Sequence, residues 1–516
     1  MSDTDADIVI GSGPAGVSAA GALLARGRRV LMIDGGASPE APLLRRRDAL
    51  AARPPEAWSA AEIAAYQRPQ LDAPAGRIRR FGSDFALAPA ETVLGRGADE
   101  IALRSSRAVG GLSNLWGAAV LPWRQQDMRG WPVSAEDLAP HYAAVARFMP
   151  VAGRADALEA LFPAFAMQGR AELAPGPQAG ALLEAMNRRQ AALGVLGIVA
   201  GAARVAVDAA RCRACGMCLH GCPWGLIWSA AQRVRELREC AGFSHQGGRV
   251  ALCFSETPAG VELRLAGGGL LRGRRLFIAA GVLETARLLL ASRPERDAGL
   301  VLHDSQHALL PLLQRRGNRR RPDRGPRTTL PQLFLELDSA DVSPFTVHSQ
   351  IYAWNEFFAH DMVRNFGRSL AASRPLFAAL ARRLVVAQIF LHSEHSARIG
   401  LRLAADGRLT ATVQRNPATG AVMRAAQRRI ARALSLAGLS ALGFARRDGA
   451  PGSSFHAGAS LPMASRPRDG QSDLLGRPHG LTRVHVVDAS VLPAIPATTI
   501  TFPVMANAHR IASSIP

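Results

Sequence analysis

The sequence predicts an α/β chain, α+β overall, in which a discontinuous strand–helix domain carries an inserted domain built on an antiparallel sheet. Three observations predict it. The chain opens strand, glycine turn, helix, strand within residues 8–33. It closes on a strand, Val484 to Val487, a Pro-rich turn and a helix over about 501–513. Between the two ends, residues 329–404 are β-rich.

The elements follow in order. Ile8 to Ile10 reads as a strand, Pro14 to Ala25 as an Ala-rich helix, and Arg29 to Ile33 as the returning strand. Pro- and Ala-rich sequence then reads as irregular to about residue 100. A Gly/Ser-rich segment covers Ser105 to Gly117, a cysteine cluster covers Cys212 to Cys222, and residues 224–241 look helical. Leu276 to Ala280 reads as a strand leading into a helix, Leu283 to Ala291. LPQLFLEL, FTVHSQIYAW and VVAQIFLHSEHSARIGLRL give the β-rich middle, and a helix is expected near 418–438. An amphipathic stretch within that middle carries Phe357, Phe358, Met362, Phe366 and Phe377 with Arg364, Arg368, Arg374, Arg382 and Arg383. It reads as a lid or packed helix, or as a contact with an acidic membrane surface. The first domain is expected at residues 1–310 and 451–516, with a Cys-rich insert at 211–224, and the second at 311–450.

Composition narrows the function classes. The 516 residues carry a net charge of +21, and all 62 basic residues are Arg. Those Arg residues are scattered, with local clusters at Arg45, Arg46 and Arg47 and from Arg315 to Arg327. No nucleic-acid-binding motif accompanies them, so no nucleic-acid partner is expected. No apolar run approaches the ~18 residues that span a bilayer. The sequence MSDTDADIVIGSG lacks the basic and apolar regions of a secretory signal, so a cytoplasmic enzyme is expected. Export with a signal-bearing partner subunit is the alternative.

Gly11-Ser-Gly13-Pro14-Ala15-Gly16 is GxGxxG between a strand and a helix. Gly11 permits the tight turn, Gly13 lets a pyrophosphate approach the backbone, and Gly16 lets helix and strand pack closely. The helix N-terminus faces the phosphates. Asp34 ends the second strand, where an acid can bind ribose hydroxyls. This is a Rossmann-type dinucleotide site. Motif and position favour FAD, while the spacing alone leaves NAD open.

Cys212, Cys215, Cys218 and Cys222, followed by Pro223, have the C-x2-C-x2-C-x3-C-P spacing of iron–sulfur proteins. A zinc site would usually pair two separated knuckles, and disulfides disagree with a cytoplasmic location. An iron–sulfur cluster is the expectation, with structural thiols as the alternative. Cys240 and Cys253 read as core residues.

Further segments resemble one family, the glucose–methanol–choline (GMC) flavoprotein oxidoreductases. Gly110-Gly111-Leu-Ser113-Asn114-Leu-Trp116-Gly117 resembles its flavin-contact segment, and Gly130-Trp131-Pro132 the sequence after it. Ala280-Gly281, leading into Glu284, Thr285 and Arg287, resembles the second strand–helix turn at the flavin. His456 with Gly458, and Asp488-Ala489-Ser490 with Pro493, resemble the C-terminal signature. These matches follow the family's order along almost the whole chain.

The resemblance implies oxidation of an alcohol by hydride transfer to FAD. His456 takes the family's active-site His position, and imidazole suits a base for the hydroxyl proton. The partner position, usually His or Asn, falls on Thr499, whose hydroxyl cannot act as a second imidazole. His348, His392 and His395 could line the cleft. Some relatives, including multi-subunit sugar dehydrogenases, hold a cluster in a comparable Cys-rich segment, and others keep the cysteines without iron. The expected enzyme is therefore a dehydrogenase of a sugar, polyol or sugar-bearing natural product. Its electrons would pass through the cluster to an external acceptor such as a cytochrome. An oxygen-using oxidase, a non-redox lyase and an electron-transfer subunit are the competing readings.

Overall fold

The computed structural model describes residues 5–71, 85–88, 92–95, 100–293, 299–315, 327–355, 380 and 382–515. Most of the amphipathic stretch, including its five Phe and Met residues, and the interior of the Arg315 to Arg327 run lie outside these residues.

Strand β1 (Asp7–Ile10) is fully buried, as is β2 (Val30–Ile33), and the helix Pro14–Ala25 joins them in parallel register. Parallel pairing needs such a crossover. The sheet runs β19 (Val484–Val486), β8 (Arg275–Ile278), β1, β2 and β4 (Phe243–Gln246). A strand from the end of the chain thus completes a sheet begun at its start. The closing helix, Thr501–Ser514, packs on the opening helix, and Ser18 Oγ donates to the Met505 carbonyl at 2.7 Å. The structure therefore has the Rossmann-type sheet and the antiparallel sheet that the sequence predicts.

The larger sheet runs β16 (Leu439–Ala441), β10 (His307–Gln314), β13 (Leu384–Phe390), β12 (Ser343–Tyr352), β11 (Leu333–Ser339) and β3 (Ile198–Ala202), with β17 (Arg447–Asp448) beside β10. It is antiparallel throughout. β3 and the start of β10 come from outside residues 311–450. Strands β14 (Arg398–Leu403) and β15 (Leu409–Gln414), inside that range, join β9 (Leu300–Asp304) and β18 (Ala457–Gly458) in a third sheet. A three-stranded meander, β5 (Ala251–Thr257), β6 (Gly260–Leu265) and β7 (Leu270–Gly273), completes the strands described.

Alternation divides the larger sheet into two faces. Leu310, Leu312, Leu335, Leu337, Val385, Ala387 and Ile389 form one core with Met423, Ala426, Ile430, Ala433 and Leu434 of the helix Thr419–Leu436. The i, i+3, i+4 spacing of the helical residues makes that stripe. The opposite face carries Phe334, Glu336, His348, Phe390 and His307. Phe334 belongs to the core of the nucleotide domain, so this face looks toward it.

Two local expectations are corrected. The stretch read as irregular holds helices Ala41–Ala51 and Ala60–Leu71. The first has Pro at its start. The second is capped by Ser59 and Glu62, which exchange hydrogen bonds of 2.9 and 3.2 Å. The helix expected over 224–241 is confined to Ala230–Arg238, because the preceding residues turn back to close the cysteine loop.

Candidate active site

The glycine turn is fixed by contacts only glycine permits. Gly11 has φ +97°, and a Cβ there would stand 2.3 Å from the Ala279 carbonyl oxygen; at Gly16 it would stand 1.9 Å from that of Gly11. At Gly13 and Gly281 a Cβ would meet no described atom within 4 Å. These two therefore border open space at the start of two helices, where backbone N–H groups face outward. Gly111 lies across the turn, its would-be Cβ 3.3 Å from Gly13 Cα. The cradle fits an extended dinucleotide such as FAD, with Pro14 and Ala15 opening the helix beneath it.

The sequence-identified residues around the cradle mostly shape it. Asp34 is buried and accepts from Ser12 Oγ, from Gly36 N at 2.8 Å and from His245 Nε2 at 2.9 Å. Ser12 Oγ accepts in turn from Gly110 N at 3.0 Å, so Asp34 anchors the Gly110 segment through Ser12. Ser113 Oγ donates to Gly110 O at 2.6 Å and accepts from Ala230 N at 2.9 Å. Asn114 Nδ2 donates to Val109 O and Gly111 O. Trp116 Nε1 donates to Trp228 O at 2.9 Å, with Gly117 following it in the chain. Asp488, pushed upward in pKa by burial, accepts from Gly281 N at 2.9 Å and Thr285 Oγ1 at 2.5 Å. This pins the Ala280-Gly281 turn to the C-terminal segment. Ala489 O accepts from Ala459 N at 2.9 Å.

His456 sits on a strained loop. Phe455 and Ala459 hold φ of +61° and +60°, a region that non-glycine residues rarely enter. Ser305 N donates to the His456 carbonyl at 2.9 Å. Part of the His456 side chain reaches solvent, but Nδ1 is enclosed and has no hydrogen-bond partner among the described residues. Burial, then the nearby His348 and His307, push its pKa down to about 3. The ring stacks on Phe390 at 5.0 Å. Thr499 is buried, and its Oγ1 accepts from Leu121 N at 2.8 Å, which leaves the hydroxyl proton for donation.

Phe390 belongs to a row across four strands. In register, Glu336 faces His348, His348 faces Phe390, and Phe390 faces His307. His348 Nδ1 is 2.7 Å from Glu336 Oε1, and both side chains are wholly buried. His392 and His395 pack instead against Phe345, at 3.9 and 6.1 Å. The sequence held a signal for the pair. Glu336 is a carboxylate inside the apolar run LFLEL, and such a group needs a partner.

Cys212, Cys215, Cys218 and Cys222 line one apolar cavity with Leu173, Val207, Trp224, Leu226, Ile227 and Leu330. All are free thiols. Burial pushes Cys215 up to about 12 and Cys218 up to about 11. Among the described residues, no three His, Cys, Asp or Glu side chains meet as a single metal ion requires. The loop after Cys222 runs into the helix Ala230–Arg238, whose first N–H is the one held by Ser113. Cys240 is exposed and Cys253 only half-buried, correcting their expected core positions: one follows a helix end, the other faces outward on β5.

A Rossmann turn, a second glycine cradle and an imidazole over the inserted sheet are the features by which the sequence resembles the GMC flavoprotein oxidoreductases. Residues 402–508 match the family model described as GMC oxidoreductase. Over that C-terminal stretch the chain is similar to GMC oxidoreductases. Its fold is shared by pyridoxine 4-oxidase from Mesorbium loti (TM-score 0.59, 16% identity, 98% of each chain). It is also shared by formate oxidase (TM-score 0.61, 14% identity, 99% of this chain and 98% of the other). No curated protein matches by sequence. No helix among the described residues is long and apolar enough to cross a membrane.

Two predictions follow from this geometry. Thr499→Val removes the acceptor of a buried N–H, and denaturant unfolding should show a loss of about 1–3 kcal/mol. The pH prediction rests on neutral buried histidines. Burial lowers His392 and His456 to about 3, and His141, His307 and His485 to about 4, from 6.5. The unfolded chain binds more protons there, so stability is full above about pH 6.5 and falls as pH drops toward 4 and then 3. Asp304, raised to about 6 by burial, works in the opposite sense: its contribution is present below 3.8 and lost as pH rises through 6. Thermal midpoints between pH 8 and 4 should fall with acidity. A flat profile would mean that these imidazoles reach water.

Proposed function

We propose that this chain is an FAD-dependent dehydrogenase of an alcohol group on a sugar, polyol or sugar-bearing small molecule. In this reading Cys212, Cys215, Cys218 and Cys222 hold an iron–sulfur cluster that serves an external acceptor protein. The cysteine cavity carries the proposal: four half-buried free thiols line one apolar cavity, on a loop that feeds the helix braced against the Gly110–Asn114 segment. Thiolates around a single zinc ion would crowd together, about 2.3 Å from the metal. Four cysteines lining one cavity at this sequence spacing would supply the thiolate ligands of an iron–sulfur cluster. Free thiols also suit a reducing compartment such as the cytoplasm.

The residues divide the work. Gly11, Gly13 and Gly16, Gly110 and Gly111, Ala280 and Gly281, and Asp488 and Ala489 would hold FAD, which when bound accepts the hydride. His456 would meet the substrate hydroxyl from above the inserted sheet. Thr499, tied to Leu121, would donate one hydrogen bond to the substrate oxygen. Phe390 and the enclosed side chains beside it would keep water from the reacting carbon, which strengthens charge interactions there.

The test is an absorption spectrum of anaerobically purified protein, with iron and sulfide assayed on the same sample. Flavin bands over a broad absorbance that reductant bleaches, with near-stoichiometric iron and sulfide, are expected. A Cys218→Ser variant should lose the iron and keep the flavin. Oxidation of D-glucose, glycerol, benzyl alcohol, pyridoxine and cholesterol would then be followed with an artificial electron acceptor. Flavin without iron, even after reconstitution, would reject the relay; peroxide release in the same assays would favour an oxidase, the activity named for both structures of similar fold.

A further inference from the structure

The family position that would supply a second imidazole holds Thr499, whose oxygen is already engaged by Leu121 N. The inserted sheet carries another imidazole close by. His348 stands opposite Phe390 in register, and His456 stacks on that same ring. Cross-strand neighbours on one face lie about 4.5–5.5 Å apart at Cβ. His348 is thus on the face over which His456 hangs, its ring 5.9 Å from the same Phe390 ring.

Its surroundings give it a defined chemical state. Glu336 Oε1 lies 2.7 Å from His348 Nδ1, with both side chains shut off from solvent. A carboxylate can only accept a hydrogen bond, so Nδ1 is the donor to Glu336, and in the neutral ring the lone pair lies at Nε2. That Nε2 is buried and has no hydrogen-bond partner among the described residues. A buried, oriented acceptor without a donor calls for one, and an alcohol hydroxyl is a donor of that kind.

We propose that His348, oriented by Glu336, is the second imidazole of the active site and takes the substrate's hydroxyl proton. The O–H bond breaks toward His348 Nε2, the C–H bond breaks as hydride leaves for FAD, and the carbon–oxygen single bond becomes a carbonyl. The proton passes to solvent after product leaves. His456 acts as the neutral hydrogen-bonding partner on the same oxygen. Glu336 is a positioning residue: it fixes which nitrogen of His348 carries the proton and touches no reacting atom.

The experiment has two readouts on the FAD-loaded protein. In protein labelled with 15N at histidine, ring nitrogen shifts report the tautomer of each imidazole without any substrate. A neutral ring with Nδ1 protonated and Nε2 bare is expected in addition to that of His485, whose Nδ1 donates to the Leu475 carbonyl; it should be absent from His348→Gln, retained in Glu336→Gln and altered in Glu336→Leu. In dye-linked oxidation of whichever of the five alcohols named above the wild type turns over, His348→Gln should keep its flavin spectrum and lose about 10²–10⁴ in kcat/KM, the scale of acid–base catalysis. Glu336→Gln should lose about tenfold, mainly in kcat, and Glu336→Leu should approach the His348→Gln value. A flavin-loaded His348→Gln enzyme within threefold of wild type overturns the proposal, as does an Nε2 that carries the proton. The tautomer measurement decides its part even where none of the five alcohols is oxidised.

Discussion

The approach of Gly11 and Gly16 to each other and to Ala279 is the contact on which the remaining structure depends. It locks β1, the first helix and β8 together at spacings that exclude any side chain. Because that corner is rigid, three distant segments can be referred to it. Gly111 rests over Gly13, Asp488 binds Gly281, and Gly458 lies so close to Ala489 that a Cβ would stand 2.3 Å from its carbonyl oxygen. His456 is two residues before Gly458. The placement of the imidazole over the inserted sheet thus traces back to a glycine corner some 440 residues earlier in the sequence.

Buried carboxylates carry that reference outward. Asp488 joins the second glycine turn to the C-terminal segment. Asp304 accepts from Gly452 N at 2.8 Å and from Ser454 Oγ at 3.3 Å, which fixes the strained approach to His456. Asp127 accepts from Thr346 N and Oγ1, both at 2.8 Å, and ties β12 to the nucleotide domain. Each could have been replaced by apolar packing at little cost in stability, since burying a charged group is expensive even when paired. What an apolar contact lacks is direction. A hydrogen-bonded carboxylate sets the position of the loop it holds, and a site that must place two imidazoles on one oxygen needs that.

Much of the fold was legible because it obeys short-range rules. The opening strand and helix could be read nearly to the residue, since glycine spacing and apolar periodicity are local. The helices Ala41–Ala51 and Ala60–Leu71 escaped notice, although Pro42 and the Ser59–Glu62 box are start signals, because Ala and Pro enrichment resembles loop composition. The sheet memberships of β3 and β9 depend on which strands meet across 95 to 139 residues, and no local pattern encodes that. The Glu336–His348 pair was half legible. LFLEL contains a carboxylate in search of a partner, but its identity emerges only from strand register.

Register also explains why one row of side chains can separate the roles of three imidazoles. His307, His348 and His456 surround Phe390, at 5.6, 5.9 and 5.0 Å. Like charges so close oppose one another, and the field of His348 and His307 is part of what keeps His456 neutral. A wholly buried carboxylate is hydrogen-bonded to His348 alone among them. Pairs of titratable groups whose surroundings drive them apart are how one site holds both a proton acceptor and a neutral donor at the same pH. A threonine at position 499 is then no deficiency. With the acceptor supplied from β12, that position is free to hold Leu121 and the wall of the site in place.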